Sequence, residues 1–131
     1  MTKHIHPYDF HHICIVSKRF KDITASIKMH DSAFFTWGKN VDIKTLANDV
    51  SPGKDLIILD FHKFKAEEAI RQLEVVHSQF PNNQIIIIAE PECEKSALKF
   101  SHTQYVSVAN LRHDLAKAIR QLKKIPPKPT Q

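Results

Sequence analysis

The sequence predicts an α/β protein in which a parallel sheet is covered by helices on both faces. Short, continuous apolar runs recur along the chain, and each is followed by a segment with apolar residues at helical spacing. This alternation occurs five times, which is typical of parallel strands joined by right-handed helical crossovers. Continuous apolar runs, unlike alternating ones, favour strands that are buried on both faces.

The first part of the chain contains two strand signals and two helix signals. Residues 12–16 form a short apolar run, and residues 19–30 carry apolar side chains at helical spacing. Residues 33–37 have strand composition and are expected to end at Gly38. Residues 42–50 are predicted to form a short second helix.

The central part of the chain has the clearest signals. Residues 56–59 form the third apolar run, and residues 66–80 have the apolar period of an amphipathic helix. Residues 85–88 are four consecutive isoleucines. Because β-branched residues disfavour a helix and suit a buried strand, this run predicts a central strand.

The last part of the chain completes the alternation. We predict a short helix over residues 91–100 and a fifth strand over residues 104–108. Asn110 is a candidate cap for a last helix, in which the core-facing residues are Leu111, Leu115, Ala118, Ile119 and Leu122. Residues 125–131 have the composition of a Pro-rich tail or linker.

Composition places the chain among single globular domains. Of 131 residues, 42% are hydrophobic and 25% are charged. No apolar run approaches the roughly 20 residues of a membrane helix, and the polar N-terminus lacks the apolar stretch of a secretory signal, so we expect a cytoplasmic location. Cys14 and Cys93 are far apart and outside any C-x-x-C motif, which favours reduced thiols.

The residues that follow the strands are the candidates for function, because ligands of open α/β sheets bind at the carboxyl ends of the strands. Ser17 and Lys18 follow the first strand, and Asp60 ends the third. Ala89 follows the fourth strand and Val108 lies at the end of the fifth.

The run Asp55-Leu56-Ile57-Ile58-Leu59-Asp60 resembles the strand of bacterial response-regulator receiver domains that ends in the phosphoacceptor aspartate. The spacing of the predicted strand ends also fits, and the resemblance covers roughly residues 10–124. It implies a doubly wound, flavodoxin-like sheet of five parallel strands in the order 2-1-3-4-5. The expected receiver-like domain spans residues 1–124.

The sequence departs from the receiver pattern at most of the positions that support phosphorylation. Receivers place two acidic residues after the first strand to hold magnesium, whereas this chain has Ser17 and Lys18. The Thr or Ser that ends the fourth strand in the family is Ala89 here, and Val108-Ala109 replaces the Lys of the fifth strand. Only the phosphoacceptor-like Asp60 remains, so the resemblance implies a degenerate pseudo-receiver with no catalytic residue, metal or cofactor.

The residues suggest a replacement for the missing metal. Lys18 is expected to form an ion pair with Asp60 that holds the crevice in one state. Alternatively, Asp60 caps the following helix or stays solvated at the strand end.

The resemblance implies a non-enzymatic signalling module that acts through protein–protein contact or dimerisation, for example as the N-terminal regulatory domain of a transcription regulator. The family's usual contact surface is the fourth helix, fifth strand and fifth helix. Tyr105 matches the aromatic residue that reports the family's switching. The expected interface residues are Ser96, Lys99, Tyr105, Leu111, Lys117 and Arg120.

Three other interpretations remain open. Asp60 would be the nucleophile of an atypical phosphoacceptor, although the acidic pair is missing. The net charge of +5 and the basic last helix would suit nucleic acid, but no recognition motif is present. His4, His6, His11 and His12 crowd the N-terminus without metal-ligand spacing, so we expect surface histidines.

Overall fold

The computed structural model describes residues 12–28 and 38–124. The predicted strand at 33–37 and the expected linker at 125–131 lie outside these residues. The strands are β1 (Ile13–Val16), β2 (Gly38–Asn40), β3 (Leu56–Asp60), β4 (Gln84–Ala89) and β5 (Thr103–Ser107). The α-helices are α1 (Phe20–Lys28), α2 (Leu46–Asp49), α3 (Ala66–Gln79), α4 (Glu94–Ala97) and α5 (Leu111–Lys124).

The five strands form one parallel sheet in the order β2-β1-β3-β4-β5. The predicted α/β class with a parallel sheet is confirmed, and the strand order is the one that the resemblance implied. β1 and β3 are neighbours although a strand and two helices separate them in sequence. Their carboxyl ends therefore lie side by side in the middle of the sheet.

The sheet has an apolar core on each face. On one face α1 and α5 pack against each other and cover side chains such as Ile15, Ile58 and Ile86. On the other face, side chains from α2, α3 and α4 cover Ile57 and Ile87. This explains the continuous apolar runs, because alternate residues of each strand contribute to opposite cores.

Three elements differ from the predictions. β2 contains Gly38, which was expected to close a strand, and backbone pairing of Gly38 with Ile13 holds this polar segment in the sheet. The predicted helix over 42–50 is a 3₁₀ turn, Ile43–Thr45, followed by the short α2. The predicted helix over 91–100 is likewise a 3₁₀ turn, Pro91–Cys93, followed by α4.

The start of the last helix also differs in its cap. Ser107 accepts a hydrogen bond from the Ala109 N–H at 3.3 Å and begins a 3₁₀ turn, Val108–Asn110, that leads into α5. The predicted cap, Asn110, is the last residue of that turn. Among the described residues, no helix is long and apolar enough to cross a membrane.

A polar network fastens the amino ends of the central strands. The buried Asn83 amide donates to the carbonyl oxygens of Asp55 at 2.8 Å and Ser51 at 3.2 Å, and its oxygen accepts from the Gly53 N–H at 2.7 Å. Gly53 has a φ of 75°, a conformation that favours glycine. The Asp55 carboxylate accepts from the N–H groups of Ser51 and His12. This network fixes the turn before β3 against both β1 and β4.

The neighbouring residues Asn82 and Asn83 offer a matched test of this network. Asn83→Ala is expected to lower the free energy of unfolding by about 2 kcal/mol, because it leaves three backbone groups, including the buried Asp55 carbonyl, without their partner. Asn82→Ala, at an exposed position of the same turn, should change it by less than about 0.5 kcal/mol. Urea unfolding of the two variants measures both values, and equal effects would contradict the role given to Asn83.

Candidate functional site

The candidate site is built around Asp60 at the carboxyl end of β3. The preceding strand residues are buried, and the Asp60 side chain is itself 0% exposed. The loop after β1 runs beside it because the register pairs Val16 with Leu59. A buried carboxylate without partners would be strongly destabilising, so its neighbours decide the chemistry of the site.

Arg19 is the principal partner of Asp60. Its Nε donates to Oδ2 at 2.7 Å and its Nη2 donates to Oδ1 at 2.9 Å. This two-pronged arrangement matches the planar guanidinium to the planar carboxylate and fixes the distance and orientation of both groups. The Arg19 side chain is 24% exposed, so the pair is largely removed from solvent.

Ser17 and His62 complete the surroundings of the carboxylate. The Ser17 hydroxyl donates to Asp60 Oδ2 at 2.6 Å and accepts from the Arg19 N–H at 2.9 Å, so one side chain orders both members of the ion pair. His62 Nδ1 lies 3.1 Å from Oδ1. Each oxygen of Asp60 therefore has two hydrogen-bonding neighbours.

The electrostatics follow from these contacts. Burial pushes the pKa of Asp60 upward, but the hydrogen bonds from Arg19 and Ser17 and the positive charge of Arg19 outweigh burial and hold the pKa below its usual value. The hydrogen bond to Asp60 raises the pKa of Arg19 against the opposing effect of burial. At neutral pH the site is thus a carboxylate–guanidinium pair with no net charge.

The predicted Lys18–Asp60 pair is wrong. Lys18 is exposed, and among the described residues the cation paired with Asp60 is Arg19. The chain turns after Ser17, and the bond from the Arg19 N–H to the Ser17 hydroxyl brings Arg19 over the strand end. The sequence prediction considered neither Arg19 nor His62. A buried carboxylate pairs better with the planar, forked guanidinium of arginine than with the ammonium group of lysine. This preference is the signal in the sequence that could have identified Arg19.

The other degenerate positions do not contact Asp60. Ala89 is buried at the end of β4, and its carbonyl oxygen accepts a hydrogen bond from the Tyr105 hydroxyl at 2.9 Å. Val108 packs against the core beneath α5. Tyr105 is thereby turned toward β4, and its partial burial raises the pKa of its phenol.

The expected interface residues differ in solvent exposure. Lys99 and Lys117 are exposed, whereas Ser96, Tyr105 and Leu111 are partly buried. The side chain of Arg120 lies outside the described part of the structure. Leu98, between Ser96 and Lys99, is 53% exposed and adds an apolar side chain to this surface.

Metal-binding chemistry has little support in the described part of the chain. There, no three His, Cys, Asp or Glu side chains are grouped so that they could hold a metal ion. His12 lies beside Asp55 at the opposite edge of the sheet from Asp60, and His4, His6 and His11 lie outside the described residues.

Comparisons with known proteins address the fold. No protein-family model and no curated protein matches the sequence. A solved structure of the Salmonella typhimurium response regulator RcsB matches with a TM-score of 0.62 and 18% sequence identity. The match covers 92% of this chain and 64% of that one.

The chain has a receiver-like fold. At this level of identity the likeness concerns the fold, and the chain spans about 64% of the RcsB chain's length. In the receiver-like domain, Asp60 ends the central strand β3, with Arg19 and Ser17 in direct contact with its carboxylate.

The ion pair should give the receiver-like domain a defined acid sensitivity. Because the pKa of folded Asp60 lies below its unfolded value of about 3.9, the pair's contribution is fully present above that pH and is lost as pH falls toward the folded pKa. Asp60→Asn should lower the free energy of unfolding by about 2 kcal/mol at pH 7 and reduce the decline of that free energy as the pH falls below about 4.

Asp42→Asn is the matched control. Asp42 is exposed and caps a 3₁₀ turn by accepting from the Lys44 N–H, a role that asparagine also performs. Urea unfolding at several pH values measures the comparison. An Asp60→Asn protein with the same pH profile as the wild type would contradict the contribution assigned to the ion pair.

Proposed function

We propose that the chain is a non-enzymatic, receiver-like signalling module that acts through protein–protein contact and does not use an aspartyl phosphate. The supporting observation is the two-pronged Arg19–Asp60 pair, to which Ser17 adds a third short hydrogen bond. The module passes on its signal when a partner binds to its surface. Its proposed location is the cytoplasm.

The contacts of Asp60 oppose its use as a nucleophile. An aspartate that accepts a phosphoryl group must present an oxygen lone pair to the incoming phosphorus. Both oxygens of Asp60 already accept from Arg19, and Oδ2 also accepts from Ser17. Attack would require the guanidinium to leave a largely desolvated carboxylate, which opposes the reaction.

The loop after β1 is also poorly suited to bind the magnesium ion that phosphoryl transfer needs. Phosphoryl transfer depends on cations placed against the transferring group, and magnesium requires anionic oxygen ligands for that purpose. Here the loop after β1 supplies the Ser17 hydroxyl, the Lys18 ammonium and the Arg19 guanidinium. Two positive side chains beside a carboxylate that is already paired disfavour a divalent cation.

The surface proposed for partner contact is centred on Leu98. Leu98 is exposed at the end of α4, next to Lys99, and Tyr105 follows on β5. An exposed leucine next to a lysine is suited to a partner that covers apolar area and carries acidic groups at the rim. We propose this surface, with Ser96, Leu111, Lys117 and Arg120, for self-association or for a protein partner.

The RcsB structure was described for conformational dynamism in DNA interaction. By analogy, we propose that this domain regulates a DNA-binding function that lies outside it. The exposed Lys117 on α5 would also permit electrostatic contact with nucleic acid, a less favoured alternative because the chain lacks a recognition motif.

Phosphorylation is tested with a small phosphodonor. Incubation with acetyl phosphate and magnesium should leave the mass of the intact protein unchanged, and beryllofluoride with magnesium should not shift amide resonances near Asp60. The double variant Ser17→Asp/Arg19→Ala, which removes the guanidinium and adds a carboxylate, should gain weak magnesium binding by titration. A phosphoryl adduct on the wild type that disappears in Asp60→Asn would overturn the proposal.

The proposed contact surface is tested with two apolar residues of similar exposure. Leu98 is 53% exposed on the proposed surface, and Val75 is 50% exposed on α3. In sedimentation velocity over a concentration series, Leu98→Asp should weaken self-association at least tenfold, because it places an uncompensated charge in a contact area. Val75→Asp should behave as the wild type, and equal sensitivity of the two variants would exclude the assigned surface.

A further inference from the structure

A crevice of about 670 Å³ opens beside Asp60, between the loops that follow β1, β2 and β3. It lies where the chain order of the strands reverses, since β1 has β2 on one side and β3 on the other. Small ligands of open α/β sheets bind at such switch points, and the volume falls within the range of small-molecule sites. The crevice therefore has the position and size of a ligand site.

The carboxylates that line the crevice have hydrogen-bonding partners, whereas two of its described lysines have no carboxylate partner. Asp60 is paired with Arg19, Asp49 accepts from the Thr45 hydroxyl at 3.1 Å, and Asp42 accepts from the Lys44 N–H at 2.9 Å. Within the described residues, by contrast, Lys18 and Lys63 have no carboxylate at ion-pair distance, and both line the crevice.

The cations and anions also lie on different sides. Lys18 and Lys63 come from the loops after β1 and β3, while Asp42 and Asp49 come from the segment after β2. An anionic group is thus attracted to the β3 side and repelled from the β2 side. This arrangement favours a ligand with one negative charge at one end.

Part of the crevice wall is apolar. Val41, Ile43 and Phe64 line it, and Phe64 is only partly buried. Phe64 stacks on the buried Phe61 with ring centroids 4.6 Å apart and an interplanar angle of 21°. The stacking holds the ring in place, so it offers a fixed surface to a planar apolar group.

We propose that this crevice binds a small organic monoanion with a planar apolar body. Its anionic group contacts the ammonium groups of Lys18 and Lys63, and its body lies against Ile43 and Phe64. Arg19 stays with Asp60, so the ligand occupies the crevice without disrupting the ion pair. The inference goes beyond the proposed function by giving the module an input other than phosphate.

The test uses 2-naphthoate as the probe, with 2-naphthamide as its neutral counterpart and inorganic phosphate as an anion without an apolar body. Naphthoate should produce saturable shifts in amide resonances of the crevice residues, with a dissociation constant of about 1 mM or lower. Naphthamide and phosphate should each bind at least threefold more weakly.

Charge variants locate the anion. Lys18→Gln/Lys63→Gln should weaken naphthoate binding roughly three- to tenfold and leave naphthamide binding unchanged, because exposed ion pairs contribute modestly. Lys21→Gln/Lys54→Gln, which removes two exposed lysines outside the crevice, is the matched control and should bind as the wild type. Far-ultraviolet circular dichroism checks that each variant is folded.

The inference is overturned if naphthoate gives no saturable shifts at the crevice, if naphthamide binds equally well, or if the two double variants behave alike. These outcomes are separate from failure of the proposed function. A phosphoryl adduct on Asp60 would contradict the proposed function whether or not naphthoate binds. Absence of naphthoate binding would contradict the ligand site and would not change the phosphorylation result.

Discussion

The structure depends on the neutralisation of one buried carboxylate. Asp60 ends a strand whose residues are buried, and its side chain is removed from solvent. A charge in such a place is tolerated only when a counter-charge and hydrogen bonds replace the lost water. Arg19 and Ser17 provide both, and in doing so they join the loop after β1 to the end of β3.

This neutralisation sets what the carboxyl edge of the sheet can do. A guanidinium is a permanent cation on the chain itself, whereas a metal ion can come and go. With Arg19 in place, the carboxylate is occupied without any ligand, and the adjacent crevice keeps a mixed apolar and cationic lining. The same residues that oppose phosphoryl chemistry thus leave room for a different kind of ligand.

Arg19 also lines a second groove, between α1 and the loop that leads into α5. That groove includes Asn110, Leu111 and Arg112 at the start of α5. One side chain therefore lies between the carboxylate of Asp60 and the helix that forms part of the proposed contact surface.

The amino ends of the central strands, opposite the candidate site, have a structural role. There Asn83 and Asp55 satisfy backbone groups of the turn before β3 and of His12, which precedes β1. The amino ends of the central strands thus contribute to stability, whereas their carboxyl ends form the candidate site, as is usual for open α/β sheets.

The sequence by itself determined the fold class, because apolar runs and helical periods record which residues are buried. The isoleucines of β4 and the run ending at Asp60 were sufficient to locate the central strands. It also showed that the acidic pair after β1 is missing. The lengths of α2 and α4 were less predictable, since local turns set them more than apolar content does.

Only the tertiary structure decided which side chains meet at the site. Arg19 and Asp60 are 41 positions apart, and the choice of Arg19 over Lys18 depends on how the backbone turns after β1. The contacts of His62 with Asp60 and of Tyr105 with the Ala89 carbonyl likewise arise from loop direction and strand register. Periodicity specifies burial, but a directional contact requires a distance and an angle that only the folded chain defines.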